Sequence, residues 1–399
     1  MKRITLSLLT VAATALFGTS CTCDSNEKEL QTVNLLLKKD YPHSTIKLDN
    51  AIFTKKQMAL VAEYQIKHLK KHAKRIKERR WELAPFYRGL AACYRITKDK
   101  NYLDLMKKIA KDANYQLGLR KGHADDQAIV QLYLELADFT NDKSILAQAR
   151  EDFTEQMTLM PKYKFRFRNY CHRWSWADAL FMAPPAWAKL STMTGDNTYM
   201  NFMVTEFKTN TNKLFSDKYH LYFRDERYIN KLNKNGKNIF WSRGNGWVYG
   251  GLASVIQWMP QDHESKLYFE DLFKKMSSAL IKWQNPRNGL WAMNIIDHNE
   301  YPLYETSGTA FFCYGLFWGM NNGLLDVNTY LPYAVKSWNG LNEKVTAEGR
   351  VTYVQPVGYA PDKFKPNDTE IYGVGAYLMA AEEYLKFINN NKFKQYKGK

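Results

Sequence analysis

The sequence predicts an all-α chain built as an (α/α)6 toroid, a closed ring of six helical hairpins. Three observations carry this expectation: strongly apolar helical stretches, a recurring Thr/Gly/Asn/Asp turn after them, and a more polar amphipathic stretch after each turn. The clearest turns are Thr97 to Lys100 before Tyr102, Thr140 to Lys143 before Ile145, and Thr194 to Asn197 before Tyr199. Weaker versions follow at Pro260 to Asp262 and at Asn322 to Asp326. Each supplies a helix C-cap followed at once by an N-cap, as an αα-hairpin requires. Their spacing of roughly 45 to 65 residues falls where internal repetition signals an array or a closed ring.

The stretch before each turn is the more apolar member: 86–96, 128–137, 180–190, 250–258, 310–320 and 374–385. The stretch after it, such as 102–114 or 266–276, carries Lys and Glu on one face. A helix apolar nearly all round belongs inside and one with a charged face outside. With 55–74 as a further outer helix, six inner and six outer helices result. An open solenoid of hairpins is the alternative architecture.

At 399 residues, 45% apolar and 15% aromatic, the chain has material for a large core and an aromatic-lined cleft. It opens on Met1-Lys2-Arg3, an apolar run to Phe17, then Gly18-Thr19-Ser20-Cys21. A basic start, an apolar run too short to span a bilayer and small residues before a Cys describe a cleavable export signal. Residues 1–20 read as a lipoprotein signal peptide, 21–35 as a polar tether and 36–399 as the (α/α)6 catalytic domain. The product is expected at the periplasm or cell surface, held to the membrane only by a lipid on Cys21, as a monomer; plain secretion is the alternative. Formal charge is +17, and loss of Lys2 and Arg3 with the leader leaves +15. Such a cation favours polyanionic partners, among which charge cannot choose. Cys93, Cys171 and Cys313 lie far apart and no Cys/His spacing suits a metal, so neither metal nor cofactor is expected.

The residues ahead of the inner stretches are rich in Trp, acids and Gly. In order they are Trp81-Glu82, His123 to Asp126, Trp174 to Asp178, Trp241 to Trp247, Tyr304 to Gly308 and Asp368 to Gly373. If all inner helices run the same way, these segments meet on one face of the ring. Capping accounts for Asp and Thr before a helix, but not for the accompanying Trp and Gly. Aromatic faces stack on sugar rings while carboxylates and Arg bind their polar groups, so this mouth points to carbohydrate. Glycoside cleavage commonly uses a carboxyl whose pKa is raised so that it can donate a proton. Asp178, between Trp176 and Leu180-Phe181, is the better acid, because desolvation disfavours its charge. Its partner is Asp125 or Asp126, which helical spacing cannot separate.

These segments resemble the unsaturated uronyl hydrolases of glycoside hydrolase family 105, related to family 88. The resemblance covers roughly residues 50 to 388. It rests on Trp176-Ala177-Asp178 through Pro185, on Trp241-Ser242-Arg243-Gly244-Asn245-Gly246-Trp247, and on Tyr353 to Gly358 and Thr369 to Gly373. It implies hydration of the C4=C5 double bond that a polysaccharide lyase leaves on a terminal uronic acid. Asp178 would protonate C4 and help water attack C5; the hemiketal then opens and expels the rest of the acidic oligosaccharide. Asp125 would be the second acid, with Asp126 as the alternative in register. Trp176, Trp241, Arg243 and Trp247 match substrate-binding positions, and Arg243 would hold the uronate carboxylate bidentately. Where some members carry His, this chain reads Leu221-Tyr222-Phe223-Arg224, and His172 lies closer to the Trp-Ala-Asp stretch than the family's His. Arg224 is therefore a carboxylate-binding candidate or a surface Arg. Rhamnogalacturonan fragments are the leading substrate; glucuronyl-capped arabinogalactan or glycosaminoglycan pieces are alternatives. A non-catalytic carbohydrate-binding lipoprotein and a nucleic-acid-binding helical repeat are readings of other classes, the latter disfavoured by the Trp/Asp mouth.

Overall fold

The computed structural model describes residues 48, 50–72, 78–167, 173–301 and 303–390, so the expected leader and tether lie outside it. Outer and inner helices alternate along the chain. Outer α1 (Ala51–His72) leads to inner α2 (Ala84–Thr97), outer α3 (Lys100–Asp112), and an inner pair α4 (Ala124–Gln127) and α5 (Val130–Thr140). Outer α6 (Ala147–Leu159) precedes a second split inner pair, α7 (Ala179–Met182) and α8 (Pro184–Thr194), and outer α9 (Asn197–Leu214). Then come inner α10 (Ser242–Trp258), outer α11 (Lys266–Lys282), inner α12 (Thr306–Asn321), outer α13 (Val327–Asn342) and inner α14 (Ile371–Asn389).

The turns fold as their residues dictate. Lys98, Asn141 and Gly195 enter the left-handed region, at φ 59°, 53° and 73°, and end the inner helices before them. Asp99, Asp142 and Asp196 follow at once, each side chain accepting an N–H of the next element. Asp326 caps α13 in the same way. Every residue of α12 from Thr306 to Met320 is buried, whereas α3 buries only Tyr102, Leu103, Met106, Ile109 and Ala110, one stripe facing inward. The ring closes where α14 meets α2: a Cβ at Gly375 would lie 2.3 Å from the Pro85 carbonyl oxygen, so only Gly permits that approach.

Three features depart from the sequence reading. Helices α10 and α12 begin at Ser242 and Thr306, eight and four residues before the expected starts, because Gly246 and Gly308 serve the close packing of these two helices. The expected helix 180–190 is broken between Met182 and Pro184. Two antiparallel hairpins are added, Phe215–Ser216 with Leu221–Tyr222 and Trp291–Ala292 with Tyr304–Glu305. Strands of two residues leave no alternating pattern to read.

Toward the far ends of the inner helices a part-buried ion network ties them together. Arg95 of α2 donates to both oxygens of Glu382 in α14 at 2.6 and 2.9 Å, and to Glu135 of α5 at 2.6 Å. Burial alone would raise both carboxyl pKa values. Lys189 and Arg95 beside Glu135, and Arg95 and Lys386 beside Glu382, outweigh it and hold each at about 2. A carboxyl whose folded pKa is depressed stabilises above its unfolded pKa and loses that contribution as pH falls through the folded value. Arg95→Met should therefore cost about 3 kcal/mol in urea unfolding at pH 7. Acid unfolding of the parent protein should fall mainly below the ordinary carboxylate range, and the variant should unfold at higher pH; an unchanged urea midpoint would show the network to be neutral.

Candidate active site

Four of the six inner-helix starts and the 357–359 loop converge on one cavity of about 610 Å3. Its wall includes Trp81 ahead of α2, His123 and Asp125 at α4, Asp178 and Met182 at α7, Trp241, Arg243 and Trp247 at α10, and Val357 to Tyr359 before α14. The α12 start contributes from behind, and Tyr372 at the α14 start packs on Trp247 and Arg243. Glu305 caps α12 through the N–H groups of Ser307 and Gly308 and also accepts Gln355 N–H at 3.2 Å, fixing the 355–359 loop.

The acid is placed by a short strand-like pairing. Asn210 of α9 donates to the carbonyls of Trp174 and Trp176 at 2.6 and 3.1 Å, while Trp176 bridges Asp225 and the Ala177 N–H donates to the Arg224 carbonyl at 2.8 Å. Asp178 and Arg224 are thereby set side by side. Arg224 Nε donates to Asp178 Oδ2 at 3.1 Å, whereas buried Oδ1 has no partner among the described residues. Burial pushes the Asp178 carboxyl above its usual range, against the opposing pull of Arg224 and Arg243.

Asp125, not Asp126, reaches the cavity. Burial pushes its carboxyl up to about 7, with Arg120 pulling down and the Asp178 and Asp126 charges pushing up. Asp126 departs from its expected substrate-binding role. Both its oxygens are held by Arg120, through Nη2 at 2.6 Å and the backbone N–H at 2.6 Å, and a Cβ at Gly118 would strike it. It therefore closes its own loop.

Arg224 and Arg243 also differ from expectation. Arg224 is only 6% exposed and spends its fork on the chain's own acids, Asp178 and Asp225, with Phe167 stacked 4.3 Å from its guanidinium. Arg243 points its two terminal nitrogens at the carbonyls of Gln355 and Pro356 and stacks on Trp241 and Tyr372. The bidentate grip expected for a uronate carboxylate thus goes to the backbone of the cavity loop. Trp241 supports the same loop, donating to Gln355 at 2.8 Å. Trp247 forms the floor against Trp81, Phe181, Phe311 and Tyr372, and Trp176 packs beside His123. His172 lies outside the described residues. Among those described, no three His, Cys, Asp or Glu side chains form a metal-ligating group.

The model of glycosyl hydrolase family 88 matches residues 54–388. The chain belongs to that family. It is 35% identical to the unsaturated 3S-rhamnoglycuronyl hydrolase of Alteromonas sp. (strain LOR), over 96% of this chain and 99% of that one. A protein of the same description from Formosa agariphila is 34% identical over 82% of this chain and 94% of the relative. A solved family 88 glycosyl hydrolase from Bacteroides vulgatus superposes with TM-score 0.75 at 28% identity, covering 83% of this chain and 99% of that one. Solved glycoside hydrolases of family 105 share the six-hairpin fold at TM-score 0.65. The chain is thus a glycosidase on an (α/α)6 ring.

Within this family 88 chain, sequence reasoning missed Arg120, Phe167, Arg227 and Tyr359 as cavity residues. All sit in loops between helices, where no periodicity marks an inward position. The Arg224-Asp225-Glu226-Arg227 run was the available signal. Asp225, fully buried, accepts from both arginines, so the run is a charge cluster rather than a solvated face. Because Arg243 anchors the cavity loop, Arg243→Met should speed amide exchange at Val357 to Tyr359 by about tenfold or more, each lost charge-assisted bond being worth about 1.5 to 3 kcal/mol. Unchanged exchange there would detach Arg243 from the loop.

Proposed function

We propose that this enzyme removes a terminal 4,5-unsaturated uronic acid, linked to rhamnose, from lyase-generated acidic oligosaccharides. One observation carries the reading: on the cavity wall, the buried Asp178 carboxyl keeps an unpartnered oxygen while its other oxygen is clasped by Arg224. With Oδ2 held by Arg224, a proton on that carboxyl belongs on Oδ1, which is shielded from water beside the cavity that Asp178 lines.

The steps follow from that placement. Asp178 gives its proton to C4, and positive charge develops at C5 and the ring oxygen. Water adds to C5 and returns a proton to Asp178, leaving a C5 hemiketal. The hemiketal opens to a C5 ketone, so the former ring oxygen becomes a hydroxyl on C1, and the C1 hemiacetal collapses to an aldehyde and the free aglycone alcohol. One water is consumed. Asp125 completes the pair: with both carboxyls raised by burial and close enough to interact, they hold a proton near neutrality. The inner-helix N-termini add partial positive charge, which suits an anionic sugar.

The relatives' description, naming rhamnoglycuronyl, supports rhamnose next to the uronate. Unsaturated rhamnogalacturonan disaccharide is the proposed substrate, and its place in pectin breakdown follows from that choice. The leader sequence Met1 to Cys21 supports an exported enzyme tethered through Cys21.

Loss of the conjugated uronate's ultraviolet absorbance should accompany release of the aglycone, and in heavy water one deuterium should appear at C4. Asp178→Asn should abolish the signal with the helical circular dichroism intact; persistent turnover would remove the acid. In the parent enzyme kcat should fall as pH rises through the Asp178 pKa, which burial sets above the ordinary carboxylate range. Asp125→Asn removes the like charge beside Asp178, so this alkaline limb should move to lower pH; an unmoved limb would uncouple the two acids. Turnover of glycosaminoglycan-derived substrates alone would reassign the aglycone.

A further inference from the structure

The helix that begins after Asp178 is cut short by chemistry. Pro184 and Pro185 have no N–H, and the Ala186 N–H turns back to Ala183 at 2.9 Å. The carbonyls of Leu180, Phe181 and Met182 therefore lose their helical donors, in a segment that is fully buried. Buried carbonyls need partners. Leu180's lies against Gly251, where a Cβ would approach it to 2.1 Å. The other two are satisfied by one side chain, since Gln131 Nε2 donates to Phe181 O at 2.9 Å and to Met182 O at 3.1 Å.

Gln131 is held in turn. Its Oε1 accepts from Arg88 Nη1 at 3.3 Å, and the same nitrogen donates to Ser254 Oγ at 2.7 Å, whose hydroxyl donates to the Gly250 carbonyl at 2.8 Å. This chain of bonds runs through α2, α5 and α10 and ends on the single helical turn that carries the acid. Met182, at the end of that turn, lines the cavity.

We infer that Gln131 is a positioning residue for the reaction: its amide, oriented by Arg88, replaces the helix bonds that Pro184 and Pro185 remove and so fixes the Asp178 turn against the cavity. The inference rests on the reading of Asp178 as the acid. Gln131 does not line the cavity, so it acts through α7 and not on the sugar.

A matched control exists. Gln284 is equally buried and also donates to two carbonyls, those of Gly289 and Tyr333 at 2.9 Å each, but just past the end of outer α11, joining the following loop to outer α13. Steady-state turnover of an unsaturated uronyl disaccharide is measured for Gln131→Met and Gln284→Met beside their melting temperatures. Gln131→Met should lose about tenfold or more in kcat with KM within about twofold, as expected when transition-state geometry rather than substrate affinity is lost. Gln284→Met should lose comparable melting temperature while keeping kcat. If Gln131→Met does not fold, Gln131→Glu, which keeps the side-chain shape and the Arg88 contact but lacks the amide donors, is read in the same way. Parent-like kcat at position 131, or an equal kcat loss in Gln284→Met, overturns the inference. Asp178→Asn separates it from the functional reading. Turnover surviving that change removes the acid itself, whereas a dead Asp178→Asn with a fully active Gln131→Met sinks only the positioning role.

Discussion

The site depends on one constraint, that the inner helices present their N-terminal ends to the same opening. A helix start leaves backbone N–H groups unpaired and carries partial positive charge. Gathering four of them around one cavity makes a place suited to anions before any side chain is added. It also explains why the acids and indoles of the sequence lie just ahead of, or within, the first turns of the core-lining helices. Deeper along the same helices the requirements differ: Arg95, with Lys189 and Lys386, offsets the charges of Glu135 and Glu382 and serves closure of the ring.

Within the opening, the arginines that line the cavity are also its internal braces. Arg224 and Arg227 share Asp225, Arg120 clasps Asp126, and Arg243 holds two loop carbonyls. These bonds fix the two carboxyls that remain on the cavity, Asp125 and Asp178. The tension at Asp178 is between burial, which favours the neutral acid, and Arg224, which favours the charge. Burial prevails there, and burial likewise pushes the neighbouring Asp125 carboxyl up to about 7.

Much of the ring was legible because its signals are local. Thr97 to Asp99 and Thr194 to Asp196 announce a helix end and a helix start within a few residues, whatever surrounds them. The Trp241 to Trp247 motif was visible as a site but misplaced as a loop: its glycines looked like breaks, yet Gly246 exists because Gly308 of the next helix packs against it. Asn245 of the same motif has a structural partner that no local pattern shows: its side chain joins Tyr222 to α10 at 2.7 and 3.0 Å. The choice between Asp125 and Asp126 turned on a rotation of one residue, which only Arg120 decides. The roles of Arg224 and Arg243 rest on partners 46 and 112 residues away in sequence, beyond any local pattern.

The central claim is geometric, and a crystal structure of the Asp178→Asn variant with an unsaturated uronyl-rhamnose disaccharide addresses it directly. The account predicts the unsaturated ring inside the cavity beside Trp176, with C4 within about 3.5 Å of the side chain at position 178, the separation of a near-attack arrangement. A sugar bound with C4 turned away from that side chain, or seated outside the ring of inner-helix starts, would contradict it.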